Sequence, residues 1–596
     1  EGDILRYMRE AAYRPLTEAE LVRHWQVSDE ESETFRLLLQ GMEDRGEIVR
    51  TRKNRYGVPE RMNLVVGRFQ GHEKGFGFVL PRTTETGADT PAQVDVYVAP
   101  KDMDGAMNGD LVVVRLGEDG TSTRPAGRVI RVLEHVNRFV VGLLSLDGAL
   151  GWVRPDERHL ALPVLIPPGE LNGALDQEKV LVEVVRWPEE GRAPAGRVVQ
   201  RLGRIGEPGV DMRSIMARFG LETDFPAAVR EEAARVPERV SQADRQGRWD
   251  LRELPLVTID SETARDLDDA VSLTAGMGGP RWRLGVHIAD VSHYVPQGSA
   301  LDEEARRRGT SVYLVDRVVP MLPERLSNGI CSLNPGVDRL ALSLFVDFDG
   351  EGKPLAHQLG ASVIRSKERM TYTAVQAIFA GDEESRERYA PLVPMLLEMN
   401  QLAHRLRRRR ERRGAIDLDL PEAEVILGAE GNPVDVRLVE RNDAHRLIEE
   451  FMLAANETIA TDFFHHRQPF LYRVHATPSA EKIDALREFL LGFGFSLPTD
   501  EKLTTKSLQR VLKHFAGTTE ERVVNMVVLR SMMQARYSAE QAIHFALATR
   551  YYTHFTSPIR RYPDLTVHRL VHRSFSEAPL TAQEQQDLQR LLSDVA

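Results

Sequence analysis

A repeated segment divides the first third of this chain. PAGRVIRVLE begins at Pro125 and PAGRVVQRLG begins at Pro194, and each closes a stretch of short runs in which apolar and polar residues alternate. Alternation with a period of two, interrupted by glycine and polar turns, is typical of the strands of small barrels. The sequence therefore predicts two tandem barrels, at residues 61–135 and 136–203, followed by one large mixed α/β region at 204–596.

The residues before the barrels, 1–60, are expected to be mainly helical. Thr17 with Glu20 and Ser28 with Glu31 have the spacing of capping boxes, and an amphipathic run follows each pair. The next segment, GEIVRTRKNRYGVP, is basic and rich in turn residues, which predicts a hairpin. Helices followed by a basic hairpin are typical of a winged helix, and a small helical domain that binds protein is the alternative.

The length and composition restrict the class of protein. A chain of 596 residues is expected to form three or more domains. The single cysteine, Cys331, excludes a disulfide framework and favours a reducing compartment. No apolar run approaches the ~18 residues of a membrane helix, and the N-terminus has no secretory pattern. We therefore expect a cytoplasmic protein without a membrane partner, and a monomer.

The charge distribution qualifies what the net charge suggests. A formal net charge of −11 disfavours a polyanionic partner, because nonspecific nucleic-acid binding rests on basic surface. Arginine is nevertheless clustered in HRLRRRRERRG (404–414) and SPIRRY (557–562). The first run is expected to form one face of a helix, either solvated or guiding RNA. Basic surface can therefore coexist with an acidic total.

The first predicted barrel contains a cluster of aromatic residues. In KGFGFV, Phe76 and Phe78 are two residues apart and face the same side of one strand, with Lys74 before them and Tyr97 on a later strand. Exposed aromatic rings beside cations form a stacking surface for single-stranded bases. The glycines between them would leave the opposite face bare, which favours binding over the alternative that both rings fill the barrel core.

Four aspartates lie within ten positions of the mixed α/β region. In TIDSETARDLDDAV, Asp260, Asp266, Asp268 and Asp269 stand between two apolar runs that predict buried strands. Carboxylates this close repel unless a cation or a proton neutralises them. Oxygen ligands favour Mg²⁺ or Mn²⁺ over zinc, and the spacing lacks the glycine and glutamate of a calcium loop. A solvated acidic turn is the alternative.

A carboxylate-held metal in a chain with nucleic-acid barrels suggests phosphodiester cleavage. Such a metal activates water and stabilises the transition state, and the remaining phosphoryl charge calls for an arginine. YTHFTSPIRRYPD offers Arg560 and Arg561. We expect Ser557 to cap a helix whose first residue is Pro558, so that backbone N–H groups and both arginines point at an anion.

Several segments together resemble the ribonuclease II and ribonuclease R family, and the domain order resembles the ribonuclease R branch. The segments are IDSETARDLDDAV, HIADVSHYV (287–295), MLPERLSNGICSLNPGVDRLALS (321–343), RGAIDLDLPEAEV (413–425), IEEFMLAANE (448–457) and YTHFTSPIRRYPDLTVHR (552–569). The resemblance implies a multidomain α+β protein with an N-terminal winged helix, two OB-fold cold-shock barrels and a large mixed α/β catalytic domain. It also implies a further barrel and a lysine-rich tail, which this sequence does not contain.

The activity implied by the resemblance is processive hydrolysis of RNA from its 3′ end. The products would be nucleoside 5′-monophosphates and a short end product, and Mg²⁺ the cofactor, with Mn²⁺ as a substitute. The substrates would be single-stranded RNA and structured RNA with a 3′ tail. An inert RNA-binding relative and an enzyme restricted to single strands are the alternatives.

The motifs also imply a role for individual residues. Asp260 and Asp269 would be the main metal ligands, Asp266 would complete the acidic site with them, and Asp268 would be most needed for the chemical step. Arg560 would stabilise the transition state, with Arg561 beside it.

Other matched positions would bind the RNA strand. Tyr372 would pack on the 3′-terminal base and Tyr313 on the other end of the stacked bases. One of Glu449 and Glu450 would contact the terminal nucleotide. Leu418 replaces an aromatic residue of the family, so stacking opposite Tyr313 is expected to be weaker.

Three polar residues in VHIADVSHYV could be read as a metal site, but we expect structural roles for them. His287, Asp290 and His293 lie on or beside an alternating strand and would point to different faces.

Overall fold

The computed structural model divides the chain into two compact units. It describes residues 2–10, 14–28, 31–51, 53–81, 95–117, 125–189, 192–276, 279–418, 422–428, 431–498, 503–575 and 581–596. The first unit contains residues 1–221, and the second contains 222–428 and 433–596. Arg52 of the predicted hairpin and residues 419–421 of the segment 413–425 lie outside the described residues. No helix in the described part is long and apolar enough to cross a membrane.

The first unit begins with three helices and a three-stranded sheet. These elements are α1 (Gly2–Glu10), β1 (Leu16–Thr17), α2 (Glu18–Trp25), α3 (Ser32–Asp44), β2 (Val49–Arg50) and β3 (Arg55–Gly57), with the sheet order β1-β3-β2. The predicted capping box of Thr17 and Glu20 is confirmed, because each side chain accepts a hydrogen bond from the backbone N–H of the other. The second box is wrong. The hydroxyl of Ser28 donates to Glu31 instead of accepting a backbone N–H, and α3 begins at Ser32.

The repeat forms two closed five-stranded barrels, as predicted. The first contains β4 (Leu64–Gly71), β5 (Gly77–Pro81), β6 (Val96–Val98), β7 (Leu111–Leu116) and β8 (Ala126–Glu134); the second contains β9 (Phe139–Asp147), β10 (Leu150–Pro155), β11 (Val164–Ile166), β12 (Glu178–Arg186) and β13 (Ala195–Arg204). The repeated segments become β8 and β13. Each pairs in parallel with the third strand of its barrel and antiparallel with the fourth, so the two copies close equivalent barrels. Helix α4 (Val210–Arg218) follows the second barrel.

The second unit is built on a seven-stranded mixed sheet in the order β14-β21-β20-β17-β16-β15-β22. Its elements are α5 (Ala227–Arg235), β14 (Trp249–Leu251), β15 (Val257–Asp260), β16 (Asp269–Ala275), β17 (Trp282–Ala289), α6 (Ala300–Arg308), β18 (Val312–Tyr313), β19 (Val318–Val319), β20 (Arg339–Phe348), β21 (Pro354–Ile364), β22 (Glu368–Thr371), α7 (Tyr372–Ala380), α8 (Glu383–Arg388), α9 (Val393–Arg413), β23 (Glu422–Leu427), β24 (Pro433–Val439), α10 (Asp443–His465), β25 (Tyr472–Val474), α11 (Ala480–Leu491), α12 (Thr505–Phe515), α13 (Glu521–Ser531), β26 (Arg536–Ser538), α14 (Tyr562–Ser574) and α15 (Ala582–Val595).

Both faces of this sheet are buried, and this fixes the position of the aspartates. Along β16, Val271 and Leu273 enter one apolar cluster with α7, α9 and α10, whereas Ala270 enters another with α5 and α6. Strand β15 runs antiparallel to β16. Asp260 is the last residue of β15 and Asp269 the first of β16, so both carboxylates lie at the same end of the two strands. Packing of the sheet therefore holds two carboxylates together at the strand ends, although they would repel each other in solution.

Helix α9 carries the arginine run, but its arginines do not share one face. The buried side of the helix includes Leu402, Ala403 and Leu406, and Arg410 lies on that same side with its side chain only 6% exposed. Consecutive residues of a helix are about 100° apart, so a continuous run must surround the axis. The prediction of a single arginine face is therefore wrong.

Candidate active site

The second unit contains a cleft of about 820 Å³ at the end of β15 and β16. Nine of the ten residues predicted for a site in this region line it: Asp260, Asp266, Asp268, Asp269, Tyr313, Tyr372, Glu449, Arg560 and Arg561. They come from strands, helices and loops that are far apart in sequence. The cleft is therefore a product of the whole fold of this unit and not of one local motif.

Asp260 and Asp269 are half-buried where the two neighbouring strands meet the cleft. Burial raises the pKa of the Asp260 carboxyl, and the charges of Asp269 and Asp266 raise that pKa further. Burial also raises the pKa of Asp269, although Arg560 and Arg561 act in the opposite direction. The Oδ2 atom of Asp260 is buried without a hydrogen-bond partner among the described groups. An acceptor oxygen in this position, beside a second carboxylate, fits a cation or a proton.

The other two aspartates are already engaged by protein groups. Asp268 is 4% exposed, and its Oδ1 accepts the backbone N–H of Ile559 at 2.9 Å while its Oδ2 lies 3.7 Å from Nε of Arg560. Burial raises the pKa of Asp268, and Arg560 partly offsets this effect. Asp266 accepts a hydrogen bond of 2.6 Å from the hydroxyl of Tyr313. The two pairs of carboxylates thus have different surroundings.

The donor set fits a magnesium-type ion held by few side chains. Within the described ranges, no three His, Cys, Asp or Glu side chains are placed to hold an ion together. That all four aspartates take part in metal binding stays a prediction. Mg²⁺ usually binds one or two carboxylates and completes its octahedron with water and substrate phosphate. Asp260 and Asp269 fit this requirement, because neither carboxylate has a hydrogen-bond donor among the described groups.

The segment that carries the arginines is a turn, which corrects the predicted helix start. Helix α14 begins at Tyr562 and not at Pro558. The backbone N–H groups before it have distant partners, because Ser557 N–H donates to Asp564 at 2.9 Å and Ile559 N–H donates to Asp268. These bonds replace the first turn of a helix.

The turn is also fixed by the residues just before β18. The carbonyl oxygen of Arg560 accepts the backbone N–H of Ser311 and the hydroxyl of Thr310, both at 2.9 Å. The guanidinium of Arg560 donates to the hydroxyl of Ser557, and its side chain is 43% exposed. The backbone of Arg560 is therefore held firmly while its charged end remains open to the cleft.

The two predicted tyrosines lie on different parts of the cleft. Tyr313 is 53% exposed, whereas Tyr372 is half-buried and stacks on His445 with ring centroids 4.0 Å apart. Leu418 is not a lining residue of the cleft and packs partly against a separate apolar cluster of α11, α12 and α13. The two tyrosines are thus available as separate stacking surfaces.

The two adjacent glutamates of α10 point in different directions. Glu449 lines the cleft and pairs with Arg441. Glu450 is buried and accepts a hydrogen bond of 2.9 Å from Nε of Arg410, so of the two candidates only Glu449 lines the cleft. Burial raises the pKa of Glu450, and Arg410 lowers it. Neighbours on a helix are about 100° apart, so only one of them can face the cleft.

Most of the other lining residues were not predicted from the sequence, and three of them form one connected group. Asn456, Tyr552 and His554 line the cleft together with the aspartates. Asn456 donates to the hydroxyl of Tyr552 at 3.3 Å and accepts the backbone N–H of Phe555 at 2.9 Å. Burial lowers the pKa of His554 to about 3, so this ring is neutral near pH 7. The alternation of polar residues in YTHFTS was the available signal.

The aromatic cluster of the first barrel is present as predicted. Phe76, Phe78 and Tyr97 are mutual neighbours with ring centroids 5.6 to 5.8 Å apart, and Lys74 beside them is exposed. The opposite side of the strand is not bare, however. A Cβ on Gly77 would lie 2.3 Å from the ring of the buried residue Phe69. Gly77 is required because the core ring packs directly on the backbone.

The polar residues that resembled a metal trio have separate structural partners, as predicted. His287 lies between the hydroxyls of Ser272 and Ser343, at 2.9 and 2.7 Å. Asp290 is buried between Arg248 and His572, and His293 contacts Asp244; these three contacts measure 2.7, 2.8 and 3.2 Å.

Known families match most of the chain. The RNB domain matches residues 248–577, the cold shock domain 152–226 and the ribonuclease B OB domain 67–132. Ribonuclease R of Thermotoga maritima is 40% identical over 575 residues, which cover 96% of this chain and 79% of that protein. Ribonuclease R of Escherichia coli is 40% identical over 560 residues, covering 94% of this chain and 68% of that protein.

A solved structure is similar in fold. Mycoplasma genitalium RNase R in complex with ribose methylated single-stranded RNA superposes with a TM-score of 0.80 and 28% identity, and the match covers 89% of this chain and 83% of that one. Two OB-type barrels and an acidic cleft faced by arginines define the class, a multidomain enzyme that hydrolyses RNA. The chain belongs to the ribonuclease II and ribonuclease R family of 3′→5′ exoribonucleases.

Proposed function

We propose that this exoribonuclease degrades single-stranded RNA and structured RNA with a 3′ tail, processively and with Mg²⁺. The products are nucleoside 5′-monophosphates and a short end product. The observation that carries the proposal is the cleft, where a buried oxygen of Asp260, unpartnered among the described groups, lies beside three further aspartates and faces Arg560. Mn²⁺ is a substitute ion of the same ligand preference.

The residues of the cleft divide the work between binding and chemistry. Asp260 and Asp269 are the residues that would hold the ion. A bound Mg²⁺ supplies activation of water and stabilisation of phosphoryl charge. Arg560 presents its partly exposed guanidinium to the phosphoryl oxygens, which calls for a firmly held backbone. Asp268 keeps that arginine and the turn of Ile559 in place. Asp266 completes the acidic wall of the cleft. Arg561 pairs with Asp564 at 2.8 Å and so supports the turn that carries Arg560.

The strand is held by stacking and by one carboxylate. Tyr372 packs on the 3′-terminal base, and Tyr313 packs on the base at the other end of the stack. Each base on an aromatic ring contributes ~1–3 kcal/mol. Glu449 faces the cleft and is proposed to accept hydrogen bonds from the terminal nucleotide. Geometry supports this role for Glu449 alone, because Glu450 is turned to Arg410.

We also propose that the first unit binds RNA. Phe76, Phe78 and Lys74 are proposed to stack on and attract single-stranded RNA, as part of cold-shock barrels at 61–135 and 136–203. Residues 1–60 are proposed as a winged helix and 204–596 as the catalytic domain. We also propose that the protein is a monomer and that it is cytoplasmic.

A 3′-tailed duplex tests the proposed function and its two rivals. Incubation with Mg²⁺ should release 5′-monophosphates and consume the duplex, whereas EDTA or Asp268→Asn should stop release. An inert relative would bind the RNA and leave it intact. An enzyme restricted to single strands would stop at the duplex, so the sizes of the remaining fragments separate the three cases.

A further inference from the structure

Helix α9 carries seven arginines within Arg405–Arg413, and three of them have carboxylate partners. These partners account for one part of the run: Arg407 pairs with Glu411 at 3.1 Å, Arg410 with Glu450 at 2.8 Å and Arg413 with Glu457 at 2.9 Å. The paired arginines are tied to the fold of the second unit. Their charges are largely neutralised within the protein.

The remaining four form what we call the arginine stripe: Arg405, Arg408, Arg409 and Arg412. Their spacing of three or four residues places them on one side of the helix, roughly opposite the buried side. Arg405 is half-buried and the other three are exposed. Among the described residues, none of these four side chains makes a hydrogen bond or ion pair. Arg409 does lie near Asp349, whose pKa is lowered first by the Lys353 backbone N–H and also by this arginine.

The stripe destabilises its own helix in the absence of a partner. Like charges three or four residues apart on a helix repel each other, and the stripe contains four such pairs. Apart from Asp349 near Arg409, no carboxylate among the described residues pairs with the stripe, so a polyanion bound along it would relieve the repulsion.

We propose that the arginine stripe binds the phosphate backbone of the RNA substrate outside the catalytic cleft. Seven residues of helix separate Arg405 from Arg412, which is about 10 Å along the axis. Guanidinium groups bind phosphate oxygens through paired hydrogen bonds. The stripe presents a row of such groups with no apolar or aromatic side chain among them, so it reads charge and not base identity.

The position of the stripe separates it from the RNA in the cleft. Arg409 lines a second cavity of about 380 Å³, together with the paired residues Arg410 and Arg413. Helix α10 stands between this cavity and the catalytic cleft, and Leu453 contributes to both walls. RNA on the stripe is therefore a different stretch from the 3′ end at the aspartates. The inference rests on the proposed function, since it assumes that RNA is the substrate.

Salt dependence of RNA binding tests the proposal directly. The triple variant Arg408→Gln, Arg409→Gln, Arg412→Gln is compared with the unchanged stripe in the full chain, both carrying Asp268→Asn so that RNA stays intact. For a single strand, each arginine–phosphate pair contributes about 0.7 to the slope of log K against log salt, so the slope for a long RNA should fall by about 2 in magnitude. A short RNA that fills only the cleft should bind with an unchanged slope.

Two further variants keep the result interpretable. Arg239→Gln removes an exposed charge elsewhere in the second unit and should leave the slope for long RNA unchanged. Lysine at the three stripe positions keeps the charge and should preserve the slope. An unchanged slope in the glutamine variant, or an equal fall in Arg239→Gln, would overturn the proposal. An acidic protein surface would then be the ligand that still fits the stripe. Degradation of long RNA by the unsubstituted chain is measured in parallel, so a failure of the proposed function is seen separately.

Discussion

The hydroxyl of Tyr313 donates a 2.6 Å hydrogen bond to Asp266, and this bond links a proposed base-stacking residue to the acidic cluster. Loss of water around its hydroxyl in the cleft raises the pKa of Tyr313, and the bond to Asp266 raises that pKa further, so the phenol remains a donor at neutral pH. The same loop holds the carbonyl of Arg560 through Thr310 and Ser311. The acidic and basic sides of the cleft are thus connected by one short segment.

Tyr313→Phe and Tyr313→Ala should separate the two roles of this tyrosine. Phenylalanine keeps the ring and loses the hydrogen bond, so the end product should keep its length while the cleavage rate changes. Alanine removes the stacking surface as well, and the end product should become longer. Denaturing gels of a 5′-labelled oligomer measure both effects. Equal end products from the two variants would contradict a stacking role.

Asp268→Asn should separate RNA binding from cleavage. The amide oxygen can still accept the N–H of Ile559, so the turn is preserved, but the charge facing Arg560 is lost. We expect single-turnover cleavage to fall by orders of magnitude with RNA affinity preserved or improved. Glu450→Gln, at a buried carboxylate outside the cleft, is the comparison for a general loss of charge. Near-normal turnover in Asp268→Asn would remove the basis of the site assignment.

Arg560→Lys should slow hydrolysis more than it weakens binding. Lysine keeps a positive charge but lacks the planar group that holds two phosphoryl oxygens at once. The measurement is the single-turnover rate beside the dissociation constant for the same RNA. A collapse of binding with an unchanged rate would show that Arg560 grips RNA and does not act on the transition state.

Tyr372→Ala should lengthen the final fragment by at least one nucleotide. A processive enzyme stops when the remaining RNA is too short to reach the aspartates while still held. One base stack contributes ~1–3 kcal/mol, a factor of roughly 5 to 150 in residence. Leu418 has no aromatic ring and does not line the cleft, so no stacking at that position offsets the loss. A final fragment of unchanged length would place the anchor elsewhere.

His287 should make the second unit sensitive to acid. Burial lowers the pKa of His287 to about 3, whereas an unfolded histidine titrates near 6.5. Its contribution to stability is therefore present above pH ~6.5 and is lost as the pH falls toward 3, at up to ~1.4 kcal/mol per pH unit. Urea unfolding at several pH values should show a shallower acid loss for His287→Gln. The exposed His404→Gln should retain the full slope of the unsubstituted chain.

Local patterns in the sequence were sufficient for the barrels, the aromatic cluster and the aspartates and arginines of the cleft, whereas the tyrosines and Glu449 were expected only from the family resemblance. The period of two survives folding because each barrel strand has one buried face, and the repeat of PAGRV marks the strand that closes each barrel. Spacing alone also placed Asp260 and Asp269 at strand ends, since the apolar flanks require buried strands.

The errors occurred where a distant group decides the local structure. Pro558 does not start a helix because Asp268 captures the N–H of Ile559, and no pattern near residue 558 contains that information. Glu450 is turned away from the cleft because Arg410 of another helix is buried against it. Only the three-dimensional packing of α9 on α10 could determine which of the two glutamates remained exposed to substrate.

The hydrogen bond between Asp268 and Ile559 joins residues that are translated at very different times. The two residues are 291 positions apart. At the ~5–20 residues per second of protein synthesis, roughly 15 to 60 seconds pass between the translation of the aspartates and that of the arginine turn. A nascent chain therefore contains the strands with the aspartates long before it contains Arg560, which completes the cleft.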